Sequence, residues 1–130
     1  MQVSGSLMET LRREAQEALP QECCGILLGI GTRVTEIVPT GNVHPESETH
    51  FEIDPQALID AHRAVRKGGP QVIGYYHSHP TGPAHPSQTD RAMAAGDGMI
   101  WAIIGAEGEI TFSRDGADGF EALSYSVTPS

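Results

Sequence analysis

Apolar residues at Leu7, Met8, Leu11, Ala15, Ala18 and Leu19 recur at helical spacing, with Arg12, Arg13, Glu14 and Glu17 between them. The pattern predicts an amphipathic helix over 6–19, ended by Pro20. CCGILLGI over 23–30 is an apolar run of strand length, Gly31-Thr32 a turn, and RVTEIVP over 33–39 its hairpin partner. A polar loop over 40–49 leads to a short predicted strand at 50–53. Asp54-Pro55 then opens a second helix, with Asp54 as cap and Pro55 in the first turn. Leu58, Ile59, Ala61, His62 and Val65 form its apolar side and carry it to Lys67, before Gly68-Gly69-Pro70 stops it. On this reading His62 is a core histidine. QVIGYYH over 71–77 is the next strand, followed by a Pro/Gly-rich loop at 80–86 and a short helix over 87–95 with Ser87 as N-cap. MIWAIIG over 99–105 is a buried strand, with Trp101 a core residue. Two further strands are predicted at 109–113 and 120–127, joined by the RDGADG turn over 114–119. Strands and helices alternate in the middle, and hairpins sit at the ends. The expected architecture is an α/β single domain over 1–130, a mixed sheet with helices packed on it.

Charge narrows the function classes. The chain has 8 Lys plus Arg against 17 Asp plus Glu, a formal charge of -9. Binding nucleic acid requires clustered cations to neutralise phosphates, and anionic membrane surfaces need the same, so both are disfavoured. No apolar run approaches the ~18 residues that cross a bilayer. Residues 1–21 lack the basic start and apolar core of a secretory signal, so the expected location is the cytoplasm. The two cysteines, Cys23 and Cys24, are adjacent. Neighbours in a strand point to opposite faces, so a disulfide between them would be strained, and free thiols suit a reducing compartment. With no Cys-rich framework available, any metal must be held by histidines and carboxylates.

The chemistry concentrates in HSHPTGPAHPSQTD over 77–90. His77 and His79 are two apart at a strand end, so both imidazoles leave on one face. A loop and one helical turn bring Asp90 back toward them. Two imidazoles and a carboxylate are a common catalytic zinc set that leaves a position open for water, although iron or manganese could use similar ligands. Taken singly, each residue has a plainer reading: a histidine at a strand end is usually just hydrogen-bonded, and Ser87 with Asp90 has the form of a capping box. At this composition the joint pattern His-x-His-x7-Ser-x-x-Asp arises by chance roughly once in a thousand such chains.

That segment resembles the JAMM motif of the MPN-plus metalloproteases, Glu-xn-His-Ser/Thr-His-x7-Ser-x-x-Asp, which His77, Ser78, His79, Ser87 and Asp90 match without a gap. PQECCGILLG over 20–29 is similar to the family's first strand and puts Glu22 in the place of its glutamate. Asn42 and Phe51-Glu52-Ile53-Asp54 look like the family's middle segment, so the likeness covers 6 to about 115. It implies a JAMM/MPN fold of the cytidine-deaminase-like kind, in a short form similar to the stand-alone bacterial and archaeal branch. It also implies one catalytic zinc on His77, His79 and Asp90, with Glu22 as general base then acid and Ser87 donating to the oxyanion. Ser78 should point away from the metal and serve structure. The implied partner is a ubiquitin-like sulfur carrier ending in Gly-Gly, from which such enzymes trim a tail or release cysteine during cysteine synthesis. A homodimer is compatible with the sequence. Two alternatives stay open: a zinc hydrolase of another small amide or peptide, and a non-catalytic MPN scaffold. His85 reads as an exposed loop residue or substrate contact, and His44 and His50 as flanks of a solvated acidic loop. Cys24, two residues from Glu22, reads as a small buried hydrophobe that shares its face.

Overall fold

A computed structural model describes residues 1–65 and 67–129. Ser4 caps the first helix, α1 (Gly5–Ala18), by accepting from the Leu7 N–H at 3.2 Å. The helix ends one residue before the Leu19-Pro20 step, because proline disfavours a helical residue ahead of it. Met8 and Leu11 are its buried residues, as the apolar spacing requires. Strand β1 (Gln2–Ser4) precedes it, outside the elements expected from sequence. β2 (Cys24–Ile30) and β3 (Arg33–Thr40) form the expected hairpin, which turns through Gly31 at φ +62.

The 50–53 segment contributes only an isolated bridge, Asn42 to Ile53, where a strand was expected. Helix α2 (Pro55–Ala64) starts as read, with Asp54 accepting from the Gln56 N–H, but stops three residues short of Lys67. None of its residues is buried, and His62 is exposed, which corrects the core reading. Ala61 and Val65 line an open groove against β3, and Leu58, Ile59 and His62 line a second open cleft, so the apolar positions meet grooves and not a core. β4 (Gln71–Ser78), α3 (Gln88–Met93) and β5 (Ile100–Ile104) follow near their expected places. β6 (Ile110–Gly116) runs three residues into the expected turn, because the tight corner is made by residues 117 and 118 alone. The last expected strand is two, β7 (Gly119–Leu123) and β8 (Ser126–Thr128).

All eight strands form one mixed sheet in the order β7-β6-β5-β4-β2-β3-β1-β8, with β4–β5, β1–β3 and β1–β8 parallel. Alternation along the strands sorts side chains to two faces. On the α1 face lie Met8, Leu11, Cys23, Leu27, Tyr76, Ile104 and Phe112, the main core. Cys24, Phe51 and Trp101 cluster on the other face. The centre of the sheet is crowded: a Cβ at Gly74 would collide with the Ile100 backbone, so glycine there lets β5 pair closely beside the metal-face strand.

Candidate metal centre

His77 leaves the sheet on the Phe51–Trp101 face, fully buried at the C-terminal end of β4. One residue beyond the strand, the His79 N–H donates to the Ile104 carbonyl at 2.8 Å, carrying β4–β5 pairing past the strand end. The 80–86 loop is then pinned to the same edge. Ala106 N–H donates to Gly82 O at 2.9 Å, and the Thr111 hydroxyl donates to Ala84 O. This return delivers Ser87 and Asp90 to the two histidines. Ser87 and Asp90 form a reciprocal capping box at the start of α3: Asp90 N–H donates to Ser87 Oγ at 3.0 Å, and Ser87 N–H to Asp90 Oδ2 at 2.9 Å.

The three side chains meet at one point. His77 Nε2 lies 3.0 Å from Asp90 Oδ1, His79 Nε2 lies 3.0 Å from Asp90 Oδ2, and the two Nε2 atoms are 3.2 Å apart. His79 Nδ1 is 2.7 Å from the Pro83 carbonyl, which can only accept, so Nδ1 carries a proton and Nε2 is the nitrogen left to face inward. The two imidazole planes meet at 64°, so their in-plane lone pairs converge. Without a metal, protons on the two Nε2 atoms bridge them to Asp90; once those protons leave, two lone pairs and a carboxylate face one spot and repel one another unless a positive charge sits between them. That donor set fits a divalent metal of borderline softness.

Burial and hydrogen bonds polarise the groups in opposite directions. Burial alone would push the Asp90 carboxyl up, but hydrogen bonds from His77, His79 and the Ser87 N–H outweigh it and hold Asp90 well below the usual carboxylate range. Burial pushes His77 down from its ordinary value, overriding Asp90. Burial also opposes protonation of His79, but its bonds to Asp90 and Pro83 prevail and raise it. Glu22, only 5% exposed, is pushed up to about 7 by burial, with His79 pulling it down and Asp90 adding to the rise. Its Oε1 has no hydrogen-bond partner among the described residues. A buried carboxylate oxygen left open beside a donor cluster is suited to take a proton from a small ligand.

Glu22, His79 and Ser87 line one cleft of about 300 Å³, together with Glu48, Thr49 and His85. His85 is exposed there, as expected of a loop residue or substrate contact. Ser78 turns away from the centre and accepts the Cys23 N–H at 2.8 Å, tying β4 to the start of β2 one residue from Glu22. A larger groove of about 620 Å³ between β3 and α2 contains none of the five candidate residues.

Sequence reasoning left three neighbours out of the site. Phe51 stacks on His77 at 4.2 Å, Trp101 meets the same ring edge-on at 5.6 Å, and Asn42 binds the Glu22 backbone. The parity of Trp101 in β5 placed it on the metal face, but only the parallel β4–β5 pairing brings that face to His77. His44, Glu46 and His50 also gather, yet they make a poor metal site as arranged. Their imidazoles stack 4.6 Å apart, His44 Nδ1 already accepts the Glu46 N–H at 2.9 Å, and His50 Nδ1 is paired with the Thr49 hydroxyl at 2.8 Å.

Comparison with known proteins gives the family and the fold. Residues 4–115 match the family of prokaryotic homologs of the JAB domain. The chain is 33% identical over 124 residues to a desampylase of Haloferax volcanii, covering 94% of this chain and 89% of that protein. It is 37% identical over 110 residues to a probable TtuB-protein conjugate cleaving protease of Thermus thermophilus, covering 85% and 73%. The solution structure of a Desulfitobacterium hafniense protein superposes with a TM-score of 0.87 at 28% identity, covering 99% and 93%. A structure described as a JAMM metalloprotease-like zinc site in the proteasome and signalosome shares the fold, with a TM-score of 0.64 at 19% identity over 98% and 97%. Among the described residues no helix is long and apolar enough to cross a membrane. With the mixed sheet, the convergent His-His-Asp group and a family match over most of its length, the chain belongs to the prokaryotic JAB-domain homologs of the JAMM/MPN class and is a peptidase.

Proposed function

We propose that this enzyme is a zinc-dependent (iso)peptidase that hydrolyses the bond after the C-terminal Gly-Gly of a ubiquitin-like sulfur carrier protein, releasing a conjugated tail or a cysteine. One observation carries the reading: His77 Nε2, His79 Nε2 and Asp90 converge within 3.2 Å, and His79 opens this group onto a cleft also lined by Glu22, whose Oε1 has no hydrogen-bond partner among the described residues. Zinc held by His77, His79 and Asp90 would supply Lewis acidity toward the scissile carbonyl and make water a stronger acid. Glu22 takes the proton of the attacking water and returns it to the departing amine as the C–N bond breaks. The Ser87 oxygen already accepts from the Asp90 N–H, so the hydroxyl keeps its own proton to donate to the oxyanion. Capping and catalysis therefore use different faces of one hydroxyl. We take the 130 residues as one domain working in the cytoplasm, where Cys23 and Cys24 stay free thiols.

One relative is named as a probable TtuB-protein conjugate cleaving protease, and a related substrate suits the cleft here. Pro83, Pro86 and Thr49 are among its lining residues, and a glycine tail, having no side chains, makes the smallest steric demand on such a cleft. The test incubates zinc-loaded enzyme with Gly-Gly adducts of a ubiquitin-like carrier, to lysine peptide and to cysteine, and separately with an unrelated peptide pool. Products are read by mass. We expect cleavage after Gly-Gly, lost with a chelator and restored by zinc. A freely cut pool with every adduct intact would replace this reading with a general metallopeptidase.

A further inference from the structure

We propose that Asn42 is a positioning residue of the catalytic centre, whose carboxamide clamps the cleft-wall loop and the Phe51 segment onto the backbone of Glu22. The proposal rests on Glu22 being the general base. Asn42 Nδ2 reaches three carbonyl oxygens, those of Glu22 at 3.1 Å, Ser47 at 3.3 Å and His50 at 2.9 Å. Its Oδ1 accepts the backbone N–H groups of His44 and Glu52, each at 3.1 Å. The Glu22 N–H in turn donates to Ser47 O at 2.8 Å. Glu22 is thus gripped on both sides of its Cα: its carbonyl by Asn42, and its N–H by a carbonyl that Asn42 also holds.

This orientation of the amide is forced, because a flipped amide would set oxygen against three carbonyls and nitrogen against two N–H groups. Aspartate is nearly isosteric but would carry the same conflict with a full negative charge. Regular pairing cannot stand in for the clamp. Apart from the single Asn42–Ile53 bridge and one backbone bond, Val43 N–H to Glu52 O at 3.1 Å, no ladder joins 42–43 to 52–53 among the described residues. Through His50 O and Glu52 N–H the same carboxamide brackets Phe51, whose ring stacks on His77 at 4.2 Å. Glu48 and Thr49, inside the clamped loop, wall the cleft. One neutral side chain therefore sets the base, the wall and the packing of a metal-ligand ring against each other. A base must lie within hydrogen-bond reach of the proton it takes, and misplacement by about 1 Å costs on the order of 10²-fold in rate.

The experiment compares Asn42→Asp, Asn42→Ser, Glu22→Gln and the double variants in zinc-loaded full-length protein. It measures zinc content, melting temperature, kcat and KM, on whichever amide substrate the wild type cuts fastest. We expect Asn42→Asp to keep its zinc and lose about 10²-fold in kcat with KM little changed. Asn42→Ser, which retains one donor, should lose less. In the Glu22→Gln background the Asn42 substitutions should cost far less than in the wild type, because most of their effect passes through the base they position. If Asn42→Asp does not fold, Asn42→Ser carries the same cycle. Wild-type kcat in the folded Asn42 variants, loss of zinc in step with activity, or losses that multiply with Glu22→Gln would each overturn the proposal. Full turnover by Glu22→Gln alone would instead remove the base assignment itself.

Discussion

At the scale of single residues, the site separates groups that need water from groups that exclude it. Glu22 is raised to about 7 because its carboxylate is buried, and metal-free stability follows from that shift. The unfolded chain releases this proton near 4.5, the folded chain near 7, so stability falls between those values as pH rises and levels off above them. Glu22→Gln removes the ionisable group. Its melting temperature without metal should exceed wild type by a gap that widens from pH 4.5 to 7 and then stays flat. The zinc-loaded variant should lose at least ~10²-fold in turnover with metal retained. Calorimetry across pH and a turnover assay check the two halves, and a gap independent of pH would contradict the burial argument. Trp101 offers a second readout. It is the single tryptophan of the chain and lies 5.6 Å from the His77 ring. Titrating zinc into metal-free protein should change its emission with a break at one ion per chain, and His77→Ala should abolish the change. An unchanged spectrum on stoichiometric uptake would mean that His77 does not ligate. His77 Nδ1 finds no partner among the described residues, so on that side of the ring aromatic packing by Phe51 and Trp101 takes the place of a hydrogen bond.

At the scale of elements, α3 matters more than its length suggests. It is six residues long, too short to persist alone, yet it delivers both Ser87 and Asp90. Its N-terminal end is held by the capping box. Past its C-terminal end, the buried Asp115 carboxylate on β6 accepts the Ala95 and Gly96 N–H groups, each at 3.1 Å. Asp115→Ala removes two charge-assisted bonds and leaves both donors short of a partner, so it should cost about 2–4 kcal/mol. Urea unfolding measures the loss, and an unchanged midpoint would show that α3 is held by other means. The helix was legible in the sequence because Ser-x-x-Asp specifies a start. Its anchor was not, because Asp115 falls within the expected RDGADG turn, and an acidic residue in a turn carries no sign of being buried.

At the scale of the whole molecule, the chain ends meet on one edge of the sheet. β8 pairs in parallel with β1 through Gln2–Ser126, Val3–Val127 and Ser4–Thr128, with six strands between β8 and the opposite edge strand β7. The metal centre lies in the middle, at the end of β4. Deleting residues 126–130 should therefore lower the melting temperature by a few degrees, roughly 1–2 kcal/mol, while zinc binding and turnover persist. Loss of zinc in the truncated protein would mean that the edge supports the centre after all.

What the sequence determined by itself was the local grammar: the periodicity of α1, the Asp54 cap of α2, the β2–β3 hairpin, and a motif whose two strand-end histidines and Ser87–Asp90 helix start already specified convergence. Those features rest on interactions within a few residues, or on a spacing that one loop closes. The tertiary structure alone decided which strands neighbour β4, and so which aromatic rings enclose His77. It decided that His62 is exposed on a helix with no buried residue, and that two chain ends pair as β1 and β8. It also gave Asn42 its five partners, four of which lie in loop or bridge segments without periodicity. The physical reason is common to all of these. Strand order, helix placement and loop closure are set by how whole surfaces pack, and no residue's immediate neighbours in the chain encode which distant backbone it will meet.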